Sequence, residues 1–510
     1  MAQQASAGRD PARLGAATLV DVYEKRASLT PDRVAVRFAA GSHAGRRLTC
    51  ADVCNLSTQL ASRLTRVGVG AGTRCGVVLE HHPMLLPVLL ALWRSDCIVV
   101  PLDPSWGSDL RATIVRHSGI RTIVSATEQP DTDVERYGAG PAASVGPGTA
   151  MISYTSGSTS DPKGVILRHR HLISAYRAAA AGLKQLTGHE VHRMGCSMRL
   201  SGLGVLGMHY LWAAVLDAEV VLLRELSVRT ASDYLDEIEE QRIDTTYLVP
   251  PLLELVNRVT RSRPHPMLRT VLTGGAPLPA ATRQRFNERF DPLLLNAYGL
   301  TEAAFAAFLG DRDQQGRGTG RIGRPVTVEA RLRGDGGAIL AHSGRGELEL
   351  RGPCVSDGYH DNPRANAALF TADGWLRSGD VAHRDDDGAY TIVGRRKLAV
   401  MKGAHTIFLN EVEDAAADLP DVVEAAAVPL NLPSGGEDIG LLVRGSSTVN
   451  ARDVAVALTR RLGRQRAPRQ VVLTTDPLPR LNLHKVDRRA VRRIWDELTT
   501  PTQERTTHGG

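Results

Sequence analysis

The sequence predicts an α/β protein with a large N-terminal part and a small α+β C-terminal part. Three observations carry this. Up to about Asn296, short and continuously apolar strands alternate with helices, the pattern of a parallel sheet covered on both faces. From about Arg321 the strands alternate in polarity and are separated by Gly- and Asp-rich turns. After Gly394 the chain reads as a compact unit of about a hundred residues, a reasonable domain size.

Thr49–Arg66 reads as an amphipathic helix, with Leu56, Leu60 and Leu64 at helical spacing. A Gly-rich turn, Gly68 to Gly72, leads to the apolar strand Cys75–Leu79, the helix Pro83–Arg94 and the strand Ile98–Leu102, which stops at Asp103-Pro104. The pattern returns with strands Ala218–Leu223 and Thr245–Val249, helices Ala231–Arg242 and Pro251–Arg261, and strands Thr270–Leu272 and Pro292–Asn296. Val326–Leu332, Gly346–Leu350 and Ala389–Val393, with turns such as Gly334-Asp335-Gly336-Gly337, read as a small antiparallel sheet or barrel. The C-terminal unit reads as strand Ile407–Leu409, helix Glu411–Asp418, strand Val422–Val428, helix Ala451–Leu462 and strand Gln470–Leu473.

Composition excludes several classes. The 62 basic residues are interleaved with 55 acids, for a net charge of +7, so no nucleic-acid stripe forms. The six cysteines show neither metal-ligand spacing nor a disulfide framework. Met1–Gly15 lacks an apolar signal-peptide core. The longest apolar stretches, Pro83–Trp93 and Gly202–Leu216, fall short of the roughly 20 residues that cross a membrane. No membrane span and a cytoplasmic location are expected. One bias stands out: 56 arginines against six lysines, at 25, 163, 184, 397, 402 and 485. Each lysine raises the question of what an ammonium does there that a guanidinium cannot.

The strongest local signal is Tyr154-Thr155-Ser156-Gly157-Ser158-Thr159-Ser160-Asp161-Pro162-Lys163-Gly164. Backbone N–H groups, hydroxyls and one ammonium in a tight turn make a polyphosphate cradle. It is not a Walker A loop, because Gly164 stands where Ser or Thr should follow the lysine. Alone, it could equally be a Ser/Gly surface loop. Four further segments join it: Thr273-Gly274-Gly275-Ala276-Pro277-Leu278, Asn296-Ala297-Tyr298-Gly299-Leu300-Thr301-Glu302, Trp375-Leu376-Arg377-Ser378-Gly379-Asp380 and Pro479-Arg480-Leu481-Asn482-Leu483-His484-Lys485-Val486-Asp487-Arg488.

In order and spacing these segments resemble the adenylate-forming superfamily of acyl-CoA synthetases, luciferases and nonribosomal peptide synthetase adenylation domains. The resemblance runs from about Leu48 to Arg493 and includes Pro101-Leu102-Asp103-Pro104, Gly346-Glu347-Leu348, Gly358-Tyr359 and Gly394-Arg395. It implies an N-terminal domain over 16–393, built from two doubly wound α/β subdomains and a small β-barrel. A hinge at 394–397 and a mobile α+β lid over 398–497 follow, with disordered tails at 1–15 and 498–510. The chemistry is then expected in the crevice at the C-terminal strand ends.

The resemblance implies an AMP-forming ligase that uses ATP and Mg²⁺ to activate a small-molecule acid. The acyl group then passes to CoA or, as alternatives, to a carrier-protein thiol or an amine. Activation of a small inorganic acid such as nitrite, or a degenerate nucleotide-binding role, are remoter alternatives. Thr155, Ser156, Gly157, Ser158, Thr159 and Lys163 would hold the β- and γ-phosphates. Gly274, Gly275, Ala276 and Pro277 would line the adenine pocket, and Asn296, Ala297 and Gly299 would also bind ATP or AMP. Tyr298 would stack on adenine, the alternative being a core tyrosine. Thr301 would contact the α-phosphate and Glu302 would bind Mg²⁺. Asp380 would take the ribose hydroxyls, its alternative being a turn residue. Arg395 would help hold ribose or phosphate, Lys397 would lie at the hinge, and Lys485 would be the catalytic lysine.

Ser160, His484 and Asp96 each stand where the family prefers glycine. Cys196–Gly204 corresponds to the acyl-pocket motif, so Arg199 and Gly202 would line that pocket. Arg199 argues against an α-amino acid substrate, because a cation would face a cation; the alternative is an arginine paired with an acid of the protein. Lys402 is either a shifted lysine of the thioester step or a plain turn lysine.

Overall fold

The computed structural model describes residues 17–127, 134–136, 145–155, 162–260, 265–310, 320–402, 405–432, 436–481 and 485–499. The chain divides into two compact units. The first comprises residues up to Ser378 together with His383–Thr391; the second comprises Gly379–Ala382 and the chain from Ile392 onward.

The first unit is mixed α/β. One sheet of six strands has the order 134–136, Thr122–Val124, Arg74–Val78, Ile98–Leu102, Thr149–Thr155 and Lys163–Arg168. The inner pairs Arg74–Val78/Ile98–Leu102 and Arg74–Val78/Thr122–Val124 are parallel. All five residues of Ile98–Leu102 are buried, as its unbroken apolar run requires. The helix Cys50–Arg66 opens with a capping box of Thr49 and Asp52, one residue later than read from the sequence. The helix Leu85–Arg94 buries every residue except Arg94.

A second sheet runs in parallel through Val34–Phe38, Glu219–Leu222, Arg193–Cys196, Thr245–Leu248, Thr270–Gly274 and Leu293–Gly299. It continues antiparallel into Ala306–Leu309 and Arg321–Pro325. The register pairs Thr273 with Asn296 and Gly274 with Ala297, so two motifs far apart in sequence finish side by side at the carboxyl edge. Beyond it, Glu329–Arg333 pairs antiparallel with Gly344–Arg351, in the region read as a small barrel. The helix expected over Ala231–Arg242 is shorter, Tyr234–Glu240, because turns flank it.

The second unit is built on three strands, Val422–Asn431, Glu437–Gly445 and Gln470–Thr474. The sequence reading missed the middle one. Its Ile439, Leu441 and Val443 face a cluster that includes Val412, Val454 and Leu458. Its Leu442 faces Val428, Val491 and Trp495. A strand buried on both faces shows no alternation, which is why period alone did not reveal it. Gly440 in this strand faces Trp495 so closely that any side chain would collide with the indole. The helix Arg488–Thr499 closes that face. Among the described residues, no helix is long and apolar enough to cross a membrane.

Candidate active site

The hairpin Thr149–Thr155/Lys163–Arg168 pairs Thr155 with Lys163, so it fixes both ends of the hydroxyl-rich loop. Ser156, Gly157, Ser158, Thr159 and Ser160 lie outside the described residues, as does His484. Lys163 sits with its Nζ 4.8 Å from the centroid of the Tyr359 ring, within cation–π range. Tyr359 donates its hydroxyl to Glu302 Oε1 at 2.6 Å. The segment around Tyr359 is stitched to the strand that follows the loop. His360 N–H donates to Gly164 O at 2.7 Å, and Ile166 N–H to Gly358 O at 2.9 Å. The fold thus brings Lys163, Glu302 and Tyr359 together, although the sequence had assigned Tyr359 no role.

Glu302 lies in a 3₁₀ turn, Thr301–Ala303, that ends at Ala304 in the left-handed region, φ 62°. Its carbonyl accepts from Ser356 N–H at 2.8 Å, which holds the turn in place. No three His, Cys, Asp or Glu side chains among the described residues converge as a metal site. One carboxylate is nonetheless a fitting donor set for Mg²⁺, a hard cation that completes its shell with water and substrate phosphate oxygens. Tyr359 holds Oε1, which orients the carboxylate.

The glycine requirement is steric at Gly274, where a Cβ would be driven into the Ala297 carbonyl oxygen. Gly275 follows in the left-handed region at φ 78°, and its open side and that of Pro277 are exposed. Tyr298 is half-buried, edge-on to Phe308 with ring centroids 5.7 Å apart, so one part of the ring stays accessible. Gly299 beside it is exposed, and Asn296 is buried, donating to Arg321 O at 2.9 Å. Half-buried Ala276 and exposed Gly275 and Pro277 therefore line an open lip, next to Ala297 and Tyr298.

Arg199 points outward and pairs with Glu225, Nε to Oε1 2.8 Å, its side chain 78% exposed. It borders a cavity of about 210 Å³ lined also by Phe38, His43, His81, Ser197 and Met198. Gly202, at φ 58°, starts the helical segment that passes through a π-helical turn, Leu206–Leu211. The turn buries His209, whose pKa burial pushes down to about 4. Asp96 holds φ 52°, the left-handed conformation that favours glycine but that Asp tolerates.

In the second unit, Asp380 is buried and pairs with Arg395, Oδ1 to Nε 2.9 Å. Lys397 is exposed in a 3₁₀ turn, Arg396–Leu398. Lys485 is exposed too, next to Val486, which forms an antiparallel bridge with Arg480. The residues around it are pinned: Arg480 pairs with Glu424, and Arg488 with Glu413. Asp487 caps the following helix through Arg489 N–H at 3.0 Å and Ala490 N–H at 3.1 Å. Lys402 is tied down, 2.7 Å from Asp438 Oδ1 and donating to Ala467 O at 3.0 Å.

A lysine on an aromatic ring whose hydroxyl bonds a carboxylate, and a glycine-walled lip at the carboxyl edge of a parallel sheet, fit a nucleotide-binding α/β enzyme. The profile of the AMP-binding enzyme family matches residues 23–360, and the chain belongs to that family. It is 29% identical over 494 residues to a feruloyl-CoA synthase of Amycolatopsis, covering 92% of this chain and 97% of the relative. It is 30% identical over 515 residues to an indoleacetate–CoA ligase of Aromatoleum aromaticum, covering 93% and 98%. Its fold matches O-succinylbenzoate coenzyme A synthetase of Bacillus subtilis in complex with ATP and magnesium, with a TM-score of 0.80, 23% identity and coverage of 92% and 99%.

Proposed function

We propose that the chain is an ATP-dependent, AMP-forming acid ligase that activates a small organic carboxylic acid and passes the acyl group to CoA. The convergence of Lys163, Tyr359 and Glu302 beside the hydroxyl-rich loop carries this reading. The CoA ligases to which the chain is similar over nearly its whole length support the acceptor.

In the first step a carboxylate oxygen attacks the α-phosphorus of ATP. The new O–P bond forms as the bond to the β-phosphate breaks, and the electron pair leaves with pyrophosphate. Attacking and leaving groups are both anionic, so fixed cations lower the barrier. Lys163 is assigned to the β- and γ-phosphates, together with Thr155 to Thr159, and Thr301 to the α-phosphate. Glu302 would hold Mg²⁺, which supplies charge neutralisation to the phosphates when bound. Gly274–Pro277, Asn296–Gly299 and the ring of Tyr298 would receive adenine, Asp380 and Arg395 the ribose. Lys485 would supply an ammonium to the reacting oxygens, with Lys397 as the hinge. In the second step the CoA thiolate attacks the acyl carbon, the C–S bond forms, and the C–O bond breaks to release AMP.

The acid is proposed to be aryl or otherwise without an α-amino group, in line with the feruloyl-CoA synthase and the indoleacetate–CoA ligase to which the chain is similar; Arg199, whose charge is paired with Glu225, does not carry this argument. A cytoplasmic location is supported by the six cysteines, all buried and unpaired. Acid-dependent ATP–pyrophosphate exchange over aryl, fatty, dicarboxylic and amino acids tests the first step, with mass spectrometry of products formed with CoA for the second. Exchange without a CoA thioester would point to a carrier-protein thiol or an amine. Exchange with no acid would overturn the reading, and best exchange with amino acids would overturn the assignment of an acid without an α-amino group.

A further inference from the structure

Tyr359, extended in a bridge with Val165, is followed by His360 at the start of a turn, and the two side chains face different partners. Tyr359 faces Glu302 and Lys163. His360 faces inward, 1% exposed, where Arg74, itself 6% exposed, brings its Nη1 to 3.3 Å from His360 Nε2. The same Nη1 donates to Ser118 O at 2.6 Å. A guanidinium has no acceptor, so His360 Nε2 must be the acceptor and the ring must be neutral. The ring proton then sits on Nδ1. Burial, Arg74 and His117 keep the His360 pKa near 4, in accord with a neutral ring.

The cluster continues to Tyr154, at the end of the strand Thr149–Thr155. The His117 ring lies edge-on to His360, centroids 5.6 Å apart, and its Nδ1 is 2.7 Å from the hydroxyl of Tyr154. Tyr154 directly precedes the loop residue Thr155, and its ring packs on Gly164, where a Cβ would come 2.9 Å from Cζ. Arg74 therefore anchors, through His360, the short segment that presents Tyr359 to Glu302, and, through the His117–Tyr154 contact, the strand that enters the loop.

We propose that His360 is a positioning residue: by accepting from buried Arg74 it fixes Tyr359, and through Tyr359 the orientation of the Glu302 carboxylate toward Mg²⁺-bound ATP. This rests on the assignment of Glu302 to the metal. Its consequence is specific, because a weakened anchor should cost affinity for ATP with Mg²⁺ and spare affinity for ATP alone.

The test is calorimetric titration with ATP, once in excess Mg²⁺ and once in EDTA, on the full chain without any acid. Glu302→Gln reports the metal assignment and should lose most of the gain that Mg²⁺ gives. His360→Leu should lose about tenfold in affinity in Mg²⁺ and less than about threefold in EDTA. His360→Asn, which keeps a neutral acceptor for Arg74, should stay within about threefold of the parent in both. If His360→Leu does not fold, the double variant Arg74→Met/His360→Leu, which leaves no buried unpaired cation, is measured in its place with the same expectation. Unchanged affinity in Mg²⁺, an equal loss with and without Mg²⁺, or an Asn variant as weak as the Leu variant would each overturn the proposal. A Glu302→Gln variant that responds normally to Mg²⁺ would instead show that the metal assignment had failed first.

Discussion

The two units hold their functional residues in opposite ways. In the first, the residues hold one another: Lys163 on the Tyr359 ring, the Tyr359 hydroxyl on Glu302, and Gly274 with no room for a Cβ against Ala297. In the second, Lys485 and Lys397 are exposed, Lys397 on a short 3₁₀ turn, and what is held is the frame around them. For Lys485 that frame is Arg480 with Glu424 and Arg488 with Glu413. The contrast teaches that one unit stores precision in the site itself. The other stores it in the mounting and leaves at the surface the ammonium proposed to act on the phosphates.

The sharpest way to break this comparison is Lys485→Ala. Removing the charge proposed to act on the transition state should lower pyrophosphate exchange by about 10²–10³-fold. Because the lysine is exposed, the melting temperature should stay within about 1 °C, the scale of a neutral surface substitution. A large fall in melting temperature would show that the second unit, too, builds the residue into its structure.

Gly274→Ala tests the first unit from the opposite side. The added methyl must displace the strand Leu293–Gly299 at Ala297, and overpacking of this kind costs about 1–3 kcal/mol. Thermal unfolding should therefore shift together with ATP affinity. If affinity fell with no loss of stability, the glycine would serve the ligand alone and the contrast between the units would narrow.

Tyr359→Phe isolates one link. It keeps the ring under Lys163 and removes the hydroxyl that Glu302 accepts. Hydrogen bonds to charged groups are worth about 1.5–3 kcal/mol, and half-burial of Glu302 places this one at the low end. A loss of about tenfold in kcat/KM for ATP is expected, read from exchange kinetics at saturating acid.

Much of this was legible in the sequence, for a physical reason. The hydroxyl-rich loop, Gly274-Gly275 and the strand Ile98–Leu102 are local patterns, each dictated by neighbours in the chain. The illegible part is non-local. Tyr359 and Glu302 are 57 residues apart, and Arg74 and His360 are 286 apart. Nothing in their local patterns announces either contact. The strand Glu437–Gly445 was missed because both of its faces are buried, so its sequence lacks the alternation that marks a half-exposed strand. Arg199 shows a different limit. Its residue type raised a substrate argument, while its partner, Glu225, follows 26 residues later with no motif to mark it.

The smallest effect belongs to the lysines with no assigned role, and it sharpens the comparison by its size. Lys184 is exposed near the end of the helix His169–Thr187 and pairs with Glu190 at 3.1 Å. An exposed pair is worth about 0–1 kcal/mol, and arginine can make it equally well. Lys184→Arg should leave exchange and stability within about 0.5 kcal/mol of the parent. The same exchange of cation at Lys163 keeps the charge but replaces a compact ammonium by a wide planar fork, at a half-buried place already bounded by the Tyr359 ring. If Lys163→Arg proved as silent as Lys184→Arg, the scarcity of lysine in this chain would carry no information about the site. A loss confined to Lys163 would show that charge alone is not what the phosphate loop selects.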